Sequence, residues 1–319
     1  MSKKTRRPKN QPLPPNTKVG KYRIVRKLAS GGFGVVYLAR RADGQTVAIK
    51  EFLPQGIRCR TEKSLIVRCS DPHDQSRFQE GMKAFFREAD MLAAVHNDRV
   101  IPIWDVFQEY GTAYFAMPVE KGGTLQDLVR KSSQPLTEKE LAHYFSEASV
   151  GVSALHDRGL LHLDIKPNNL WVRPNGDILV LDLGASRWGD EKIQDAQLAR
   201  TPGFAAPEQH GNAKGRKLSP ATDIYGLSAA LFACLNQSPP PPAGKRYEGD
   251  RPTVSLLARA SPSMLDLLEW GLSLNPESRP TLSEFSETLI RMPRLTTTSS
   301  YWPPQEKFPW PEVDLSAFS

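Results

Sequence analysis

A period of two governs the first third of the chain and a period near 3.6 governs most of the rest, and that change limits the architectures open to it. Residues 22–28, Tyr-Arg-Ile-Val-Arg-Lys-Leu, alternate as a half-buried strand does. Residues 35–39 and 46–50 are predicted as two further strands, with Asp43 and Gly44 as the hairpin turn between them. Residues 51–80 form an irregular, polar stretch. Helical spacing then sets Phe85, Ala89, Leu92 and Val95 on one side of a helix over 85–95. Residues 100–107, interrupted by Pro102, and 113–117 read as strands. After Gly122 and Gly123 the chain turns helical over 125–131 and 138–156, the second helix with Thr137 as N-cap and Glu140 as its capping-box partner. Two short apolar strands, 170–172 and 178–181, are joined by Pro174-Asn175-Gly176, and 221–289 is mostly helical with a break at 239–242. Strands first and helices after predict an α+β fold and not a βαβ repeat.

The 319 residues carry a formal net charge of +7, but Lys3, Lys4, Arg6, Arg7 and Lys9 supply five of those charges with no acid among them. The basic balance therefore reports a short arm and not a charged face of the kind that reads nucleic acid. Residues 1–20 read as a disordered basic arm. No apolar run approaches the roughly 18 residues of a membrane span, and no apolar segment follows the basic start as in a Sec-type signal peptide. Three cysteines, Cys59, Cys69 and Cys234, are too few for a disulfide scaffold and suit a reducing compartment. Residues 293–319 hold Tyr301, Trp302, Phe308, Trp310 and Phe318 among five prolines with Pro293, more aromatics than a flexible linker needs. This tail is expected to dock on its own domain or on a partner protein, and Thr296 to Ser300 form a candidate autophosphorylation cluster.

The chemistry concentrates at a few positions. Gly31-Gly-Phe-Gly34 lies between two predicted strands, where missing Cβ atoms let backbone N–H groups approach phosphate oxygens. Lys50 ends an apolar strand, and Glu88 on the following helix is a candidate carboxylate partner. His162-Leu-Asp-Ile-Lys-Pro-Asn-Asn169 and Leu181-Asp-Leu-Gly184 offer a carboxylate in Asp164, an ammonium in Lys166, an amide oxygen in Asn169 and a second carboxylate in Asp182. Asp164 could take a proton from an attacking hydroxyl, Lys166 could neutralise a transferring phosphoryl group, and Asn169 with Asp182 could supply hard oxygens to magnesium.

In order and spacing, Val47-Ala-Ile-Lys50, His162 to Asn169 and Asp182-Leu-Gly184 resemble the signature set of protein kinases. Thr201-Pro-Gly-Phe-Ala-Ala-Pro-Glu208, Asp223-Ile-Tyr-Gly-Leu227 and Arg279-Pro280 are similar to further family motifs, the last as the arginine that pairs with Glu208. The Pro239 to Pro242, Ala243 and Arg246 run, with Glu51-Phe-Leu-Pro54, is similar to the bacterial Ser/Thr kinases of eukaryotic type. The resemblance spans residues 21–292 and implies a bilobal fold: a small β-rich N-lobe with one main helix (21–117), a hinge (118–123) and a larger helical C-lobe (124–292). It implies Ser/Thr protein kinase activity with ATP and magnesium, manganese being the alternative ion, and a protein substrate. Asp164 would be the catalytic base, with Lys166 and Thr201 beside it. Lys50, paired with Glu88, would hold the phosphates, and Asn169 and Asp182 would hold the metal. The nucleotide pocket would be formed by Leu28, Gly31, Gly32, Phe33, Gly34, Val36, Ala48, Met117 as gatekeeper, Pro118, Glu120, Thr124 and Trp171. Trp171 is larger than the family's aliphatic floor residue, which implies a shallower pocket or a stacked base.

Departures from the family pattern carry their own expectations. Ala29 replaces the first glycine of the loop, which predicts reduced loop mobility. Leu163 replaces the arginine that in the family holds an activation-loop phosphate, and residues 187–200 contain no Ser, Thr or Tyr. Activity is therefore expected not to depend on activation-loop phosphorylation. Leu183 replaces phenylalanine and keeps an apolar contact. The 51–80 insertion is either a tuning element for the Glu88 helix or a surface excursion. The competing readings are a nucleotide-binding pseudokinase scaffold, against which the full set of catalytic side chains counts, and a small-molecule kinase, which would lack the Thr201 to Glu208 segment. The cytoplasm is the expected location, with a secreted bacterial effector as the alternative.

Overall fold

The structure, a computed structural model, describes residues 10–32, 34–55, 57, 60, 64–69, 71–188, 201–210, 217–249 and 260–292. Phe33, Cys59, the basic cluster at 3–9, the activation-loop stretch 189–200 and the tail with its Thr296 to Ser300 cluster and aromatics lie outside the described residues. The chain divides into two compact units, the first comprising residues up to 94 with 101–120, the second 95–100 with the residues from 121 on. Among the described residues no helix is long and apolar enough to cross a membrane.

The first unit is built on a six-stranded antiparallel sheet: β1 (Lys18–Val19), β2 (Tyr22–Ser30), β3 (Gly34–Arg41), β4 (Thr46–Phe52), β5 (Asp105–Glu109) and β6 (Thr112–Met117), in the order β1-β2-β3-β4-β6-β5. The strand expected over 22–28 extends to Ser30, with register shifts between Ile24 and Arg26 and between Lys27 and Ala29, and the strand expected over 100–107 begins only at Asp105, beyond Pro102. One helix, α1 (Pro72–Ala94), packs against the sheet through Phe78, Phe85, Ala89 and Leu92. The helix expected to start at 85 starts thirteen residues earlier. Asp71 accepts hydrogen bonds from the backbone N–H groups of His73 (2.8 Å) and Asp74 (3.2 Å), and Pro72 occupies the first helical position. An Asp-Pro pair is a helix-start signal, because the carboxylate satisfies orphan donors and proline lacks the donor that would be orphaned.

Two further expectations are corrected here. Residues 10–20, assigned from composition to a disordered arm, are ordered: Leu13 and Val19 are buried in the sheet's core and β1 pairs with β2. The 51–80 stretch is not irregular throughout and does not simply lie on the surface. Its second half begins α1, while Ile57, Arg60 and Val67 are buried.

The second unit is mainly helical: α2 (Leu125–Lys131), α3 (Glu138–His156), α4 (Pro220–Asn236), α5 (Ala243–Tyr247), α6 (Pro262–Gly271) and α7 (Leu282–Arg291). The first two have the bounds expected from the sequence. Thr137 Oγ1 accepts from Glu140 N at 3.2 Å and the Glu140 carboxylate accepts from Thr137 N at 2.7 Å, the reciprocal capping box. Nearly every residue of α4 from Thr222 to Cys234 is buried, as its all-round apolar sequence requires. Around it pack α3, α6 and α7. Short strands β7 (Gly123–Thr124), β9 (Leu170–Val172) and β10 (Ile178–Val180) form one small sheet, while β8 (Leu160–Leu161) and β11 (Arg187–Trp188) form another. Residues 95–100, expected in the N-lobe, belong to this unit. Val100 bridges to Val180, and Arg99 pairs with Glu147 (2.5 Å) and Asp177 (3.0 Å).

Candidate active site

In the first unit, cross-strand register sets Val36, Ala48, Lys50, Phe115 and Met117 on one face of the sheet: Val36 opposes Lys50, Lys50 opposes Phe115, and Ala48 opposes Met117. From that face Lys50 Nζ reaches Glu88 Oε1 on α1 at 2.7 Å, its ammonium lying 5.3 Å from the Phe115 ring centroid and 5.9 Å from that of Phe85. The carboxylate is nearly buried and the lysine about one-fifth exposed, so the pair is shielded but still open to an anion. Leu28 lies at a register shift in β2, between Lys27, which pairs with Tyr37, and Ala29, which pairs with Val36, and Gly31 and Gly32 are exposed beyond the strand's end. Gly31 N donates to Gly34 O at 2.9 Å. A Cβ at Gly34 would collide with the carbonyl oxygen of Glu51, so this position admits no larger residue without displacing backbone. Gly34→Ala is expected to destabilise the first unit by about 1–3 kcal/mol, to be read from urea melts. Pro118 and Glu120 follow β6, both half-buried.

The second unit gathers the acid–base groups. Asp164 Oδ1 accepts from Thr201 Oγ1 at 2.7 Å, and Oδ2 accepts from Lys166 Nζ at 2.5 Å and from Asn169 Nδ2 at 3.3 Å. Lys166 Nζ also lies 3.3 Å from Thr201 Oγ1, which closes a triangle of carboxylate, ammonium and hydroxyl. Asn169 Nδ2 donates to Asp164 O at 2.9 Å. With that nitrogen committed, the amide oxygen is the atom available to a cation. The backbone of Asn169 accepts from Leu181 N at 2.9 Å, which brings the start of the Asp182 segment beside it. Asp182 is exposed and has a left-handed backbone, φ 61°.

Asp223 holds the loop that begins at His162. Its oxygens accept from the backbone N–H groups of His162 and Leu163, both at 2.8 Å, and Oδ2 lies 2.8 Å from His156 Nε2. Leu163 adopts φ 64° and is fixed further by Gln209 Nε2, which donates to its carbonyl at 2.8 Å. Burial alone would raise the Asp223 carboxyl, but the hydrogen bond and charge of His156, with the loop N–H groups, hold it below the ordinary carboxylate range. The stability it contributes is therefore full above about pH 4 and is lost as pH falls through its depressed value. The sequence marked Asp223 as the start of a buried helix but gave no sign that it anchors Leu163. The Leu163 side chain is buried and apolar, where an arginine would have offered charge.

Thr124 and Trp171 are cross-strand partners between β7 and β9. The Trp171 indole N–H donates to Lys121 O at 3.1 Å, which pins the ring against the chain entering the unit. Gly122 is required beside it: φ is 128°, and a Cβ would strike Val172 O and the indole nitrogen.

Among the described residues no cluster of three or more His, Cys, Asp or Glu could hold a metal ion alone. One amide oxygen and one carboxylate fit an ion that brings most of its ligands with it as phosphate oxygens and water, which is how magnesium binds nucleotides. The residues present fit that group.

The arginine and glutamate that the sequence paired are joined in a buried bidentate contact: Arg279 Nη1 to Glu208 Oε1 at 2.6 Å and Nη2 to Oε2 at 2.9 Å, with the guanidinium 5.0 Å from the Tyr225 ring centroid.

With this geometry in place, comparison with known proteins assigns the class. A family model for the protein kinase domain matches residues 22–289, and the chain belongs to that family. The fold is the bilobal protein-kinase fold, with a β-sheet N-lobe and a helical C-lobe. Similar curated proteins include a probable serine/threonine-protein kinase zyg-1 of Caenorhabditis briggsae, 26% identical over 277 residues covering 85% of this chain and 34% of that protein. A second is the serine/threonine-protein kinase PknD of Protochlamydia amoebophila, 26% identical over 299 residues covering 81% and 28%. A solved structure of PpkA-294 in its apo form is similar with a TM-score of 0.76 at 29% identity, covering 87% of this chain and 99% of that one. The chain spans about a third of the length of those two curated relatives.

Proposed function

We propose that the chain is a protein-serine/threonine kinase that transfers the γ-phosphoryl group of ATP, with magnesium, to Ser or Thr hydroxyls of a protein substrate, and that it does so without activation-loop phosphorylation. The observation that carries the reading is the Asp164 carboxylate held between Lys166 and Thr201. A carboxylate so placed can take the proton of an acceptor hydroxyl as that oxygen attacks phosphorus, and Lys166 beside it offsets charge on the phosphoryl oxygens. Oδ2 already accepts from Lys166 and Asn169, while Oδ1 accepts from Thr201 alone and keeps a lone pair for the acceptor. Lys50, oriented by Glu88, would bind the non-transferred phosphates, with the Gly31 to Gly34 turn, including Phe33, offering backbone N–H groups. Val36, Ala48, Met117 and Trp171 would bound the adenine, with Leu28, Thr124 and the backbone of Pro118 and Glu120 at its edges. Asn169 and Asp182 would hold magnesium, which when bound supplies charge neutralisation along the phosphates.

Independence from loop phosphorylation rests on the buried Leu163 and on the absence of Ser, Thr and Tyr from residues 187–200. Treating the purified chain with a phosphatase, removing the phosphatase and measuring the initial rate of transfer to a generic acceptor protein tests this. The rate is expected to stay within roughly twofold of the untreated chain. A large loss traced to a phosphosite near Thr201 contradicts it. A cytoplasmic location is proposed, with a secreted bacterial effector as the alternative, and the aromatic tail is proposed to dock on its own domain or on a partner protein.

A further inference from the structure

The face of the N-terminal sheet turned away from Lys50 carries a buried ionic network. Glu51 follows Lys50 on β4 and so projects to the opposite side. There Arg60 grips it bidentately, Nη1 to Oε2 at 2.9 Å and Nη2 to Oε1 at 2.7 Å, with both side chains almost wholly shielded from solvent. Tyr37 and Tyr114 donate their hydroxyls to the same carboxylate at 2.6 and 2.5 Å. Burial first, then the Glu51 charge, pushes both phenols up and keeps them protonated donors, while Glu51 outweighs burial and holds Arg60 as a cation. Every strong hydrogen-bonding position of Glu51 is thus occupied.

The network ties three distant stretches to β4. Leu13 N donates to the Tyr37 hydroxyl at 2.9 Å, and Asn10 bonds Pro54 O and Ile57 O, both at 2.7 Å, while accepting from Arg60 N at 3.0 Å. Arg60 Nε donates to Leu65 O at 2.9 Å. Within the stretch closed by the Glu51 to Arg60 pair, Gln55 N donates to Gly32 O at 3.0 Å, and the Phe52 ring packs at a tilt against Phe78 and Phe85 of α1 with centroids 5.1 and 5.8 Å apart. The ion pair therefore closes a clasp whose inner contacts reach the glycine turn, the Lys50 strand and the helix that carries Glu88.

We infer that Glu51 and Arg60, closed over by Asn10, are positioning residues that set Lys50, Glu88 and the Gly31 to Gly34 turn for nucleotide phosphates. This rests on the reading of the chain as an ATP-using kinase. A fold-only role and a positioning role separate in kinetics, because a smaller folded fraction lowers kcat and leaves both KM values unchanged.

The test uses the full chain with Arg60→Met, Arg60→Lys and Asn10→Ala. Arg60→Met is expected to raise KM for Mg-ATP about tenfold while KM for the acceptor protein stays within about twofold, with Arg60→Lys recovering part of the loss. Asn10→Ala leaves the ion pair intact, carries the test where Arg60→Met does not fold, and is expected to raise KM for Mg-ATP by about two- to threefold. A second readout needs no activity: acylation of Lys50 in the nucleotide-free protein, followed by mass spectrometry with Lys27 and Lys245 as internal references. Arg60→Met and Asn10→Ala, where folded, are each expected to label Lys50 about threefold faster than the unaltered chain, since release from Glu88 exposes the amine. Unchanged KM for Mg-ATP together with unchanged Lys50 labelling in folded variants overturns the inference. An unaltered chain that transfers no phosphate overturns the kinase reading instead, and the labelling arm still decides this one.

Discussion

Asp164→Ala is expected to lower phosphoryl transfer by on the order of a thousandfold and to leave Mg-ATP binding in place. The carboxylate is the sole proton acceptor in the triangle it forms with Lys166 and Thr201. Removing it leaves an ammonium and a hydroxyl, neither of which takes a proton from an alcohol at neutral pH. The loop itself keeps its shape, because its anchors lie elsewhere. Asp223 holds the N–H groups of His162 and Leu163, and Gln209 holds the Leu163 carbonyl. Side-by-side measurement of transfer to a generic acceptor and of Mg-ATP binding by calorimetry checks both halves. A variant that retains transfer within tenfold shows that another group takes the proton.

The second large effect is on stability. Arg279→Met leaves Glu208 as a buried carboxylate without its cation, and both side chains are fully shielded from solvent. Breaking such a pair from one side costs about 3–5 kcal/mol, far more than the pair contributes relative to an apolar replacement. Arg279 also donates to Ser273 O at 2.8 Å and to Ala221 O at 2.8 Å, so three points of the second unit lose their common tie. For a unit of this size the loss corresponds to a fall in melting temperature of roughly 10 °C. Calorimetric melts of Arg279→Met beside the unaltered chain measure it. The double variant Arg279→Met with Glu208→Leu is expected to recover most of the loss, since no unpaired charge then remains.

Much of this was readable from the chain. Helices 125–131 and 138–156 have the bounds their sequence predicts, the second because its apolar period and its Thr137–Glu140 capping box agree. The pairs Lys50 with Glu88 and Arg279 with Glu208 are implied by the family resemblance, and the side chains meet at 2.7 and 2.6 Å. What escaped notice has physical causes. Periodicity does not reveal the start of α1, because Asp71-Pro72 lies well before the apolar stripe at 85–95 and only the cap marks it. Residues 10–20 read as disordered because Asn, Gln and Pro dominate that stretch and the basic cluster at 3–9 precedes it. Yet Leu13 and Val19 suffice to bury it once β2 offers an edge. Arg60 was invisible as a core residue, since a buried cation is defined by its partner, and Glu51 lies nine positions away on another element. The anchoring of Leu163 by Asp223 spans 60 residues and leaves no local pattern at either end.

The central claim is catalysis, and the most direct measurement is transfer of labelled γ-phosphate from Mg-ATP by the purified full chain to a generic acceptor protein, with the labelled residues identified by mass spectrometry. Label on serine or threonine, dependent on magnesium and lost in Asp164→Ala, is the predicted result. Intact Mg-ATP binding with no label on any protein would contradict the account and leave a nucleotide-binding scaffold in its place.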